Sequence, residues 1–457
     1  MPIKNGREAA MQALLQMEEN EGYSNIVFDK TLRGAGLDHR EAALAATLFY
    51  GVLEKRLVLD WLLQPFCKKP LRKLDLPVRE TLRMAVYQIY FLDRVPDSAA
   101  VNEAVNWVKQ HGYARASGFV NGLLRSLLRG RDTRVLPSAT DTSWQAKSLR
   151  YGIPEELLTF WDKNYGHALA DRMGDSLSRK APLFGRVNET RLTVEEFVQR
   201  AGQAGIQAHL IPSVPGAVWL EGTGSVGENP LYQQGLFFIQ DLSSQLCVRL
   251  SGVKAGEKVA DVCAAPGGKS FSAAICMHNQ GKLRAFDLYR GKVKQIREGA
   301  ARLGLTILQA DVRDAAEDET LQEEFDRVFC DVPCSGYGII RRKPEIRYKP
   351  LKEGRELPGI QAKILDRSAA LVRPGGTLMI STCTLVPDEN EKSVERFLNR
   401  HPDFEPESLE MVPGLVSLRG EPDWRITLMP ENAFGGDGFF VARLRRRKIT
   451  EGIKEKL

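Results

Sequence analysis

"DVCAAPGGKS", residues 261–270, decides the fold class, because the chain changes character twice within this short stretch. The apolar run at 258–264 has the composition of a buried strand, and the Ala-Ala-Pro-Gly-Gly sequence is typical of a tight turn. A helix is predicted to begin near Lys269 and Ser270. A strand, a glycine turn and a helix in this order predict an open α/β sheet with the turn at the carboxyl end of a strand.

The same alternation continues towards the C-terminus. Besides 258–264, strands are predicted at 282–288, 305–311, 326–332, 377–383, 425–429 and 438–444. Helical segments separate the early strands, whereas the last strands follow one another as in an antiparallel ending. Residues 236–446 are therefore predicted to form a Rossmann-like domain with a seven-stranded, doubly wound sheet.

Two further regions precede this domain. Residues 1–133 are predicted to form an all-helical domain, with Ser98 as a helix cap. The apolar positions that indicate its helices recur at helical spacing: Val101, Ala104, Val105 and Val108, then Val120, Leu123, Leu124 and Leu127. Residues 129–143 have the composition of a linker. Residues 145–235 are predicted to be a small α+β module with a helix capped by Thr193.

Composition and charge limit the class of protein. The 457 residues suffice for about two to four domains, and 43% hydrophobic with 27% charged residues is ordinary for a globular chain. The net charge of +6 is uneven, since residues 1–150 hold 22 Lys and Arg against 16 Asp and Glu while the remainder is balanced. A polyanion is therefore expected to bind the first third. The alternative is a solvated helical surface that happens to be basic.

Several other classes of protein are disfavoured. No apolar run reaches the roughly 18 residues that span a bilayer, and the N-terminus does not resemble a signal peptide. Seven cysteines without a disulfide-type framework predict a reducing, cytoplasmic location. No metal site is expected, because there is no C-x-x-C pair and the six histidines are dispersed.

Acidic residues close three successive predicted strands after the glycine turn: Asp287, Asp311 and Asp331. A single such aspartate is often only a turn or helix cap. Together with the turn they outline a crevice for a ligand that contains adenosine, because a carboxylate at this position accepts hydrogen bonds from ribose hydroxyls. Neither the dinucleotide fingerprint nor the P-loop motif is present, so nicotinamide and nucleoside-triphosphate sites are disfavoured.

Two of the seven cysteines are predicted to lie on this rim. Cys334 follows Asp331-Val-Pro in a loop, and Cys383 ends the next predicted strand. The others, at 67, 247, 263, 276 and 330, are in apolar settings typical of small core residues. A thiolate beside such a crevice suits covalent catalysis on a pyrimidine, since addition at C6 makes C5 nucleophilic enough to take a methyl group. The residues alone do not rank the two thiols.

Five stretches together resemble the RNA cytosine-5 methyltransferases that use S-adenosylmethionine, the NOL1/NOP2/Sun family: "DVCAAPGGKS", "FDLYRGKVKQI", "DRVFCDVPCSGYGIIRRKPEIRY", "RPGGTLMISTCTLVPDENE" and "GGDGFFVARLRR". The N-terminal stretches "AVNEAVNWVKQHG" and "SGFVNGLLRSLLR" are similar to the NusB-type helical RNA-binding domain. This pairing points to the RsmB group, which modifies a cytosine in small-subunit (16S) ribosomal RNA.

The resemblance implies roles for individual residues. The methionine end of S-adenosylmethionine would be lined by Cys263, Ala264, Ala265, Pro266, Gly267, Gly268 and Lys269. Asp287 would hold the ribose, Asp311 the adenine side, and Asp331 would lie between cofactor and target base. The thiol that attacks C6 would be that of Cys383, whereas Cys334 would assist release of the product.

The expected activity is therefore methyl transfer to C5 of a cytosine in 16S ribosomal RNA, by a monomer without metal. Transfer RNA is the alternative substrate, and an RNA-binding assembly factor without catalysis is the alternative class. The basic run at 341–349 is expected either to contact the RNA backbone, with Tyr348 stacking on a base, or to be an exposed charged loop. The basic tail at 443–457 is left open between RNA binding and solubility.

Overall fold

The computed structural model describes residues 3–20, 22–131, 136–321, 324–351 and 356–448. Residues 132–135 of the predicted linker and 449–457 of the basic tail lie outside the described residues. Within the described ranges the chain divides into two compact units. One comprises Met1–Arg179 with Ile340–Pro350, and the other Lys180–Ile339 with Leu351–Leu457.

The first unit is helical, as predicted. Its helices are α1 Gly6–Asn20, α2 Ser24–Leu32, α3 His39–Leu63, α4 Leu76–Phe91, α5 Asp97–Gln110, α6 Ser117–Arg129, α7 Trp144–Tyr151, α8 Glu155–Tyr165 and α9 His167–Ser178. The predicted apolar faces form its core: Val101, Ala104 and Val108 of α5 are buried, as are all four predicted positions of α6. Ser98 is not a cap, because α5 begins at Asp97 directly after Pro96.

The three helices α7–α9 differ from the mixed α+β character that the sequence predicts from residue 145 onward. They are short, and glycines with positive φ at 152 and 166 interrupt the apolar period that would reveal a longer helix. Each nevertheless buries apolar side chains, among them Leu157, Leu158 and Trp161 of α8.

The second unit begins with a small antiparallel sheet of order β2-β3-β1-β4. Its elements are β1 Leu183–Val187, α10 Val194–Gln203, β2 Gln207–Leu210, β3 Ala217–Glu221, α11 Pro230–Gln233 and β4 Phe237–Ile239. Thr193 caps α10 as predicted: its side chain accepts from Glu196 N, and the Glu196 carboxylate accepts from Thr193 N.

The remainder of this unit is the predicted Rossmann-like α/β domain. Its elements are α12 Leu242–Ser251, β5 Lys258–Asp261, α13 Gly268–Cys276, β6 Lys282–Asp287, α14 Arg290–Leu303, β7 Leu308–Val312, β8 Phe325–Asp331, α15 Leu357–Leu371, β9 Val372–Thr382, α16 Glu391–Arg400, β10 Phe404–Pro406, β11 Arg425–Leu428 and β12 Phe439–Arg446.

The large sheet has the order β10-β12-β9-β8-β5-β6-β7, with β11 paired to β12. The pairs among β5 to β9 are parallel, and those of β12 with β9, β10 and β11 are antiparallel. The sheet thus has eight strands and not the seven predicted. The additional strand is β10, which is too short to show an alternating pattern and ends in a proline at the sheet edge.

The predicted domain boundaries at 133, 145, 235 and 446 stay predictions, since compact units and evolutionary modules need not coincide. Among the described residues, no helix is long and apolar enough to cross a membrane.

Candidate active site

Five neighbouring parallel strands end at one edge of the large sheet. Asp261, Asp287 and Asp331 are the last residues of β5, β6 and β8. Asp311 is the penultimate residue of β7, and Cys383 directly follows β9. The fold therefore brings the predicted strand-end residues to a common rim, where open α/β sheets bind their ligands.

The turn after β5 is shaped by a glycine that no other residue can replace without strain. Gly267 has φ of 109°, and a Cβ built on it would lie 2.4 Å from the Phe271 ring. Helix α13 starts at the next residue, so its free N–H groups point towards the rim.

A cavity of about 210 Å³ opens at this turn. Its walls are the turn residues 263–266, 268 and 269, the segment 239–241 with Ser244, and the carboxyl groups of Asp261 and Asp331. Asp287 and Asp311 do not line it.

Lys269, which is buried, and Asp331, which is half-buried, form an ion pair within this cavity. Lys269 Nζ lies 2.7 Å from Asp331 Oδ2, and Ser381 Oγ donates to Asp331 Oδ1 at 2.8 Å. The ammonium also lies 4.7 Å from the centre of the Phe439 ring. Burial lowers the pKa of Lys269, but the attraction of Asp331 outweighs it and the net pKa is raised. Lys269 therefore stays charged and fixes the Asp331 carboxylate in orientation.

Asp261 is a cavity residue that the sequence did not single out. It is 1% exposed, its Oδ2 accepts from Ser270 Oγ at 2.6 Å, and its Oδ1 is buried without a hydrogen bond among the described residues. Burial raises the pKa of its carboxyl to about 7. Its position in the sequence could have marked it as a site residue, because it is an acidic residue that ends a buried strand beside a glycine turn.

Asp287 and Asp311 make different contacts from the cavity residues. Asp287 Oδ2 accepts from Ala265 N at 3.2 Å and thereby fixes the turn. Asp311 receives hydrogen bonds from Arg284 at 2.9 Å and Arg297 at 3.3 Å. Its side chain is 46% exposed, so it stays accessible to a ligand.

The two predicted rim thiols meet. Cys334 Sγ and Cys383 Sγ are 3.2 Å apart, and both residues are half-buried. The hydrogen bond with Cys383 and burial raise the pKa of the Cys334 thiol well above its usual range. Cys334 is thus held as a neutral thiol that can donate a proton or a hydrogen bond to its neighbour.

The remaining cysteines lie elsewhere. Cys67, Cys247 and Cys330 are buried in the cores as predicted, whereas Cys263 and Cys276 are only half-buried. Among the described residues, no group of three His, Cys, Asp or Glu side chains is placed to hold a metal ion.

Sequence reasoning also missed the side chains that surround the thiols. Glu389 Oε2 accepts from Ser335 N at 2.9 Å, directly after Cys334. Asn390 Nδ2 donates to Thr384 O at 3.0 Å, directly after Cys383. The acceptor Glu389 and the donor Asn390 both belong to the stretch "PDENE". The charges of this stretch are typical of an exposed helix start, so its composition does not indicate buried contacts.

The basic run at 341–349 is not an exposed loop. Arg347 is 3% exposed and donates to the carbonyls of Glu54 and Gly152, while the Tyr348 hydroxyl donates to Leu53 O at 2.9 Å. These two side chains are part of the helical unit, so the predicted RNA contact is wrong for Arg347. The reason is that guanidinium groups can satisfy buried carbonyls, which the sequence pattern does not reveal.

Comparison with known proteins identifies the family of the chain. The family model for the 16S rRNA methyltransferase RsmB/F matches residues 250–445, the NusB family matches 4–129, and an RsmF/B-like ferredoxin-like domain matches 153–227. A probable ribosomal RNA small subunit methyltransferase B of Bacillus subtilis is 38% identical over 96% of this chain and 98% of that protein. The chain belongs to the RsmB/F methyltransferase family.

Other relatives agree with this assignment. A probable ribosomal RNA small subunit methyltransferase B of Synechocystis is 30% identical over 97% of this chain and 99% of its own length. The crystal structure of PH0851 shares the fold, with a TM-score of 0.82 and 24% identity over 96% of this chain and 98% of that one. The RsmB/F match covers the whole rim from β5 to β12, so the predicted family resemblance is confirmed.

Proposed function

We propose that this RsmB/F methyltransferase transfers a methyl group to C5 of a cytosine in 16S ribosomal RNA, through a covalent bond between Cys383 and C6 of the base. The observation that carries the proposal is the pair of thiols 3.2 Å apart on the strand-end rim, next to the ion-paired Asp331. Covalent catalysis at C6 needs one thiolate to attack and has a use for a second thiol at product release.

The chemistry proceeds in two stages. The Cys383 thiolate adds to C6, which breaks the C5–C6 double bond and places electron density on C5. A new carbon–carbon bond to the methyl group then forms at C5, while the methyl–sulfur bond of the sulfonium donor would break and leave a neutral thioether. A base then takes the proton from C5, the double bond re-forms, and the sulfur–C6 bond breaks to return the Cys383 thiolate. Cys334, held neutral at 3.2 Å, stabilises the departing thiolate by a hydrogen bond.

S-adenosylmethionine is the proposed methyl donor, and the residues of the cavity fit its methionine end. The backbone of the glycine turn lines the cavity at residues 263–266 and 268, and Asp261, whose buried Oδ1 has no hydrogen bond among the described residues, also lines it. When bound, this cofactor supplies an electrophilic methyl group. The segment Cys263–Lys269 would hold its methionine end, Asp287 its ribose and Asp311 its adenine side. Lys269 orients Asp331 between cofactor and base.

The proposed RNA substrate rests on three observations. The relatives are named ribosomal RNA small subunit methyltransferases, the NusB family model matches the helical region, and that region carries the excess of positive charge. A target base inside structured RNA must be turned out to reach the thiols. An assembly factor without catalysis is disfavoured, because the two thiols lie in contact and Lys269 is ion-paired with Asp331, as the proposed chemistry requires.

The test is a labelled-methyl transfer assay on 16S ribosomal RNA and on transfer RNA, with the methylated cytosines mapped. Cys383→Ala is expected to lose methyl transfer by at least about a thousandfold while still binding cofactor. Cys334→Ala is expected to accumulate a covalent RNA–protein adduct that migrates as a slow band in a denaturing gel. Full activity of Cys383→Ala would refute the mechanism, and methylation of transfer RNA alone would refute the substrate.

A further inference from the structure

The turn that carries Cys334 is held by side chains that come from outside it. Gln361 Nε2, on α15, donates to Pro333 O at 2.9 Å, and Glu389 Oε2 accepts from Ser335 N at 2.9 Å. The residues on either side of Cys334 are therefore fixed by separate hydrogen bonds. The two anchoring side chains are themselves linked, because Gln361 Nε2 also donates to Glu389 Oε2 at 3.3 Å.

The turn that carries Cys383 is held by the residue next to Glu389. Thr382 Oγ1 donates to Asn390 Oδ1 at 2.5 Å, and Asn390 Nδ2 donates to Thr384 O at 3.0 Å. The hydroxyls of Ser335 and Thr384, which follow the two cysteines, lie 2.6 Å apart. Glu389 and Asn390 are consecutive in the chain, so one short segment before α16 anchors both thiols.

These anchors are buried and thus rigid. Gln361 and Asn390 are fully buried, and Glu389 is 5% exposed. Burial raises the pKa of Glu389, while its hydrogen bonds from Ser335 and Gln361 oppose that shift. A buried carboxyl carries a cost unless its hydrogen bonds are made, so Ser335 N is held firmly.

We propose that Glu389 is a positioning residue for the release step: it sets Cys334 Sγ within 3.2 Å of Cys383 Sγ by fixing the turn at Ser335. This inference rests on the proposed function. Among the described residues, Glu389 does not line the cofactor cavity and makes its hydrogen bonds with Ser335 and Gln361, while its charge adds to the raised pKa of the Cys334 thiol. Its loss should therefore resemble the loss of the Cys334 thiol and spare the attack by Cys383.

The experiment compares full-length Glu389→Ala, Glu389→Gln and Cys334→Ala in single and multiple turnover on ribosomal RNA. In Glu389→Ala, multiple turnover is expected to fall about ten- to a hundredfold. The first methyl transfer should stay within roughly threefold of wild type, and the covalent adduct should accumulate. Glu389→Gln keeps an oxygen that can accept from Ser335 N, and it should restore turnover to within about threefold of wild type.

Asp388→Ala is the matched control, because this neighbouring carboxylate is half-exposed and forms an ion pair with the surface residue Arg396 at 3.1 Å. It should leave both rates unchanged. If Glu389→Ala is recovered unfolded, Glu389→Asp is tested in its place. We expect the same effect at a smaller size, because the carboxylate of the shorter side chain lies farther from Ser335 N.

The outcomes separate the two proposals. The positioning role is overturned if folded Glu389→Ala releases product normally, or if it loses methyl transfer and release equally. In either case, an adduct in Cys334→Ala leaves the proposed function intact. Absence of an adduct in Cys334→Ala contradicts the proposed release chemistry itself, whatever Glu389→Ala does.

Discussion

At the scale of single residues, the cavity combines two carboxyl groups in different surroundings. Asp331 is paired with Lys269, whereas burial raises the pKa of the Asp261 carboxyl to about 7. A carboxyl group whose pKa is raised by burial is frequent at functional sites, because it can serve there as a hydrogen-bonding acid.

The raised pKa of Asp261 predicts a specific dependence of stability on pH. An ordinary carboxyl titrates near 3.9 in the unfolded chain, so between about pH 4 and 7 the folded protein holds a proton that the unfolded chain has lost. The contribution of Asp261 to the free energy of unfolding therefore falls as pH rises through this range and is constant above about pH 7. Asp261→Asn mimics the protonated acid, so the variant and wild type should agree near pH 4.

At pH 8 the variant is expected to be more stable by up to about 4 kcal/mol, the free energy that corresponds to the shift. Urea unfolding of both proteins between pH 4 and 8 measures the difference. Parallel stability curves across this range would show that Asp261 is ionised throughout and that its burial is compensated.

At the scale of elements, the connection between β5 and α13 needs a backbone conformation that L-residues rarely adopt. Gly267→Ala is expected to cost about 2 kcal/mol, because φ of 109° is strained for alanine and its Cβ would meet the Phe271 ring. Gly268→Ala is the matched control: its Cβ would lie 3.3 Å from the flexible Gln240 side chain. The control should stay within about 1 kcal/mol of wild type in chemical unfolding. Equal effects of the two substitutions would contradict this explanation.

Sequence reasoning predicted the elements of the site better than their contacts. Asp287 and Asp331 were found because apolar runs mark where their strands end, and parallel strands bring such ends to one edge. Glu389 was not found, since its partner is a backbone N–H from a loop 54 residues away in sequence. No local pattern specifies such a contact. The strand β10 was missed for the same reason: only pairing with β12 defines it.

At the scale of the whole molecule, a segment of 11 residues inside the methyltransferase sequence belongs to the helical unit. Residues Ile340–Pro350 are part of that unit, and Arg347 is its internal anchor. The guanidinium donates to Gly152 O at 3.1 Å, Glu54 O at 3.3 Å and Ile340 O at 3.4 Å. A boundary drawn along the sequence cannot capture this, because the segment is too short to show a composition of its own.

Removal of this anchor should loosen the helical unit. Arg347→Met is expected to cost about 3 kcal/mol, because several buried carbonyls lose their donors. Native-state hydrogen exchange should show faster exchange in α3 near Glu54 and at the end of α7 near Gly152. Lys349→Met, at an exposed position of the same segment, should change stability by no more than about 0.5 kcal/mol. Unchanged exchange in Arg347→Met would mean that water replaces the guanidinium at no cost.

The 3.2 Å contact between Cys334 and Cys383 also predicts that the protein is sensitive to peroxide. A disulfide needs its sulfurs about 2 Å apart, so small side-chain rotations suffice. Each thiol would give up one hydrogen as a hydroperoxide is reduced to water and the corresponding alcohol.

We expect peroxide to abolish methyl transfer and dithiothreitol to restore it. Peptide mass mapping should show a disulfide between 334 and 383, while buried Cys330 stays reduced. Inactivation without this cross-link would point to over-oxidation of one thiol. The thiol for which we propose a role in product release would then, under oxidative stress, also inactivate the enzyme reversibly and protect the proposed nucleophile Cys383 from irreversible oxidation.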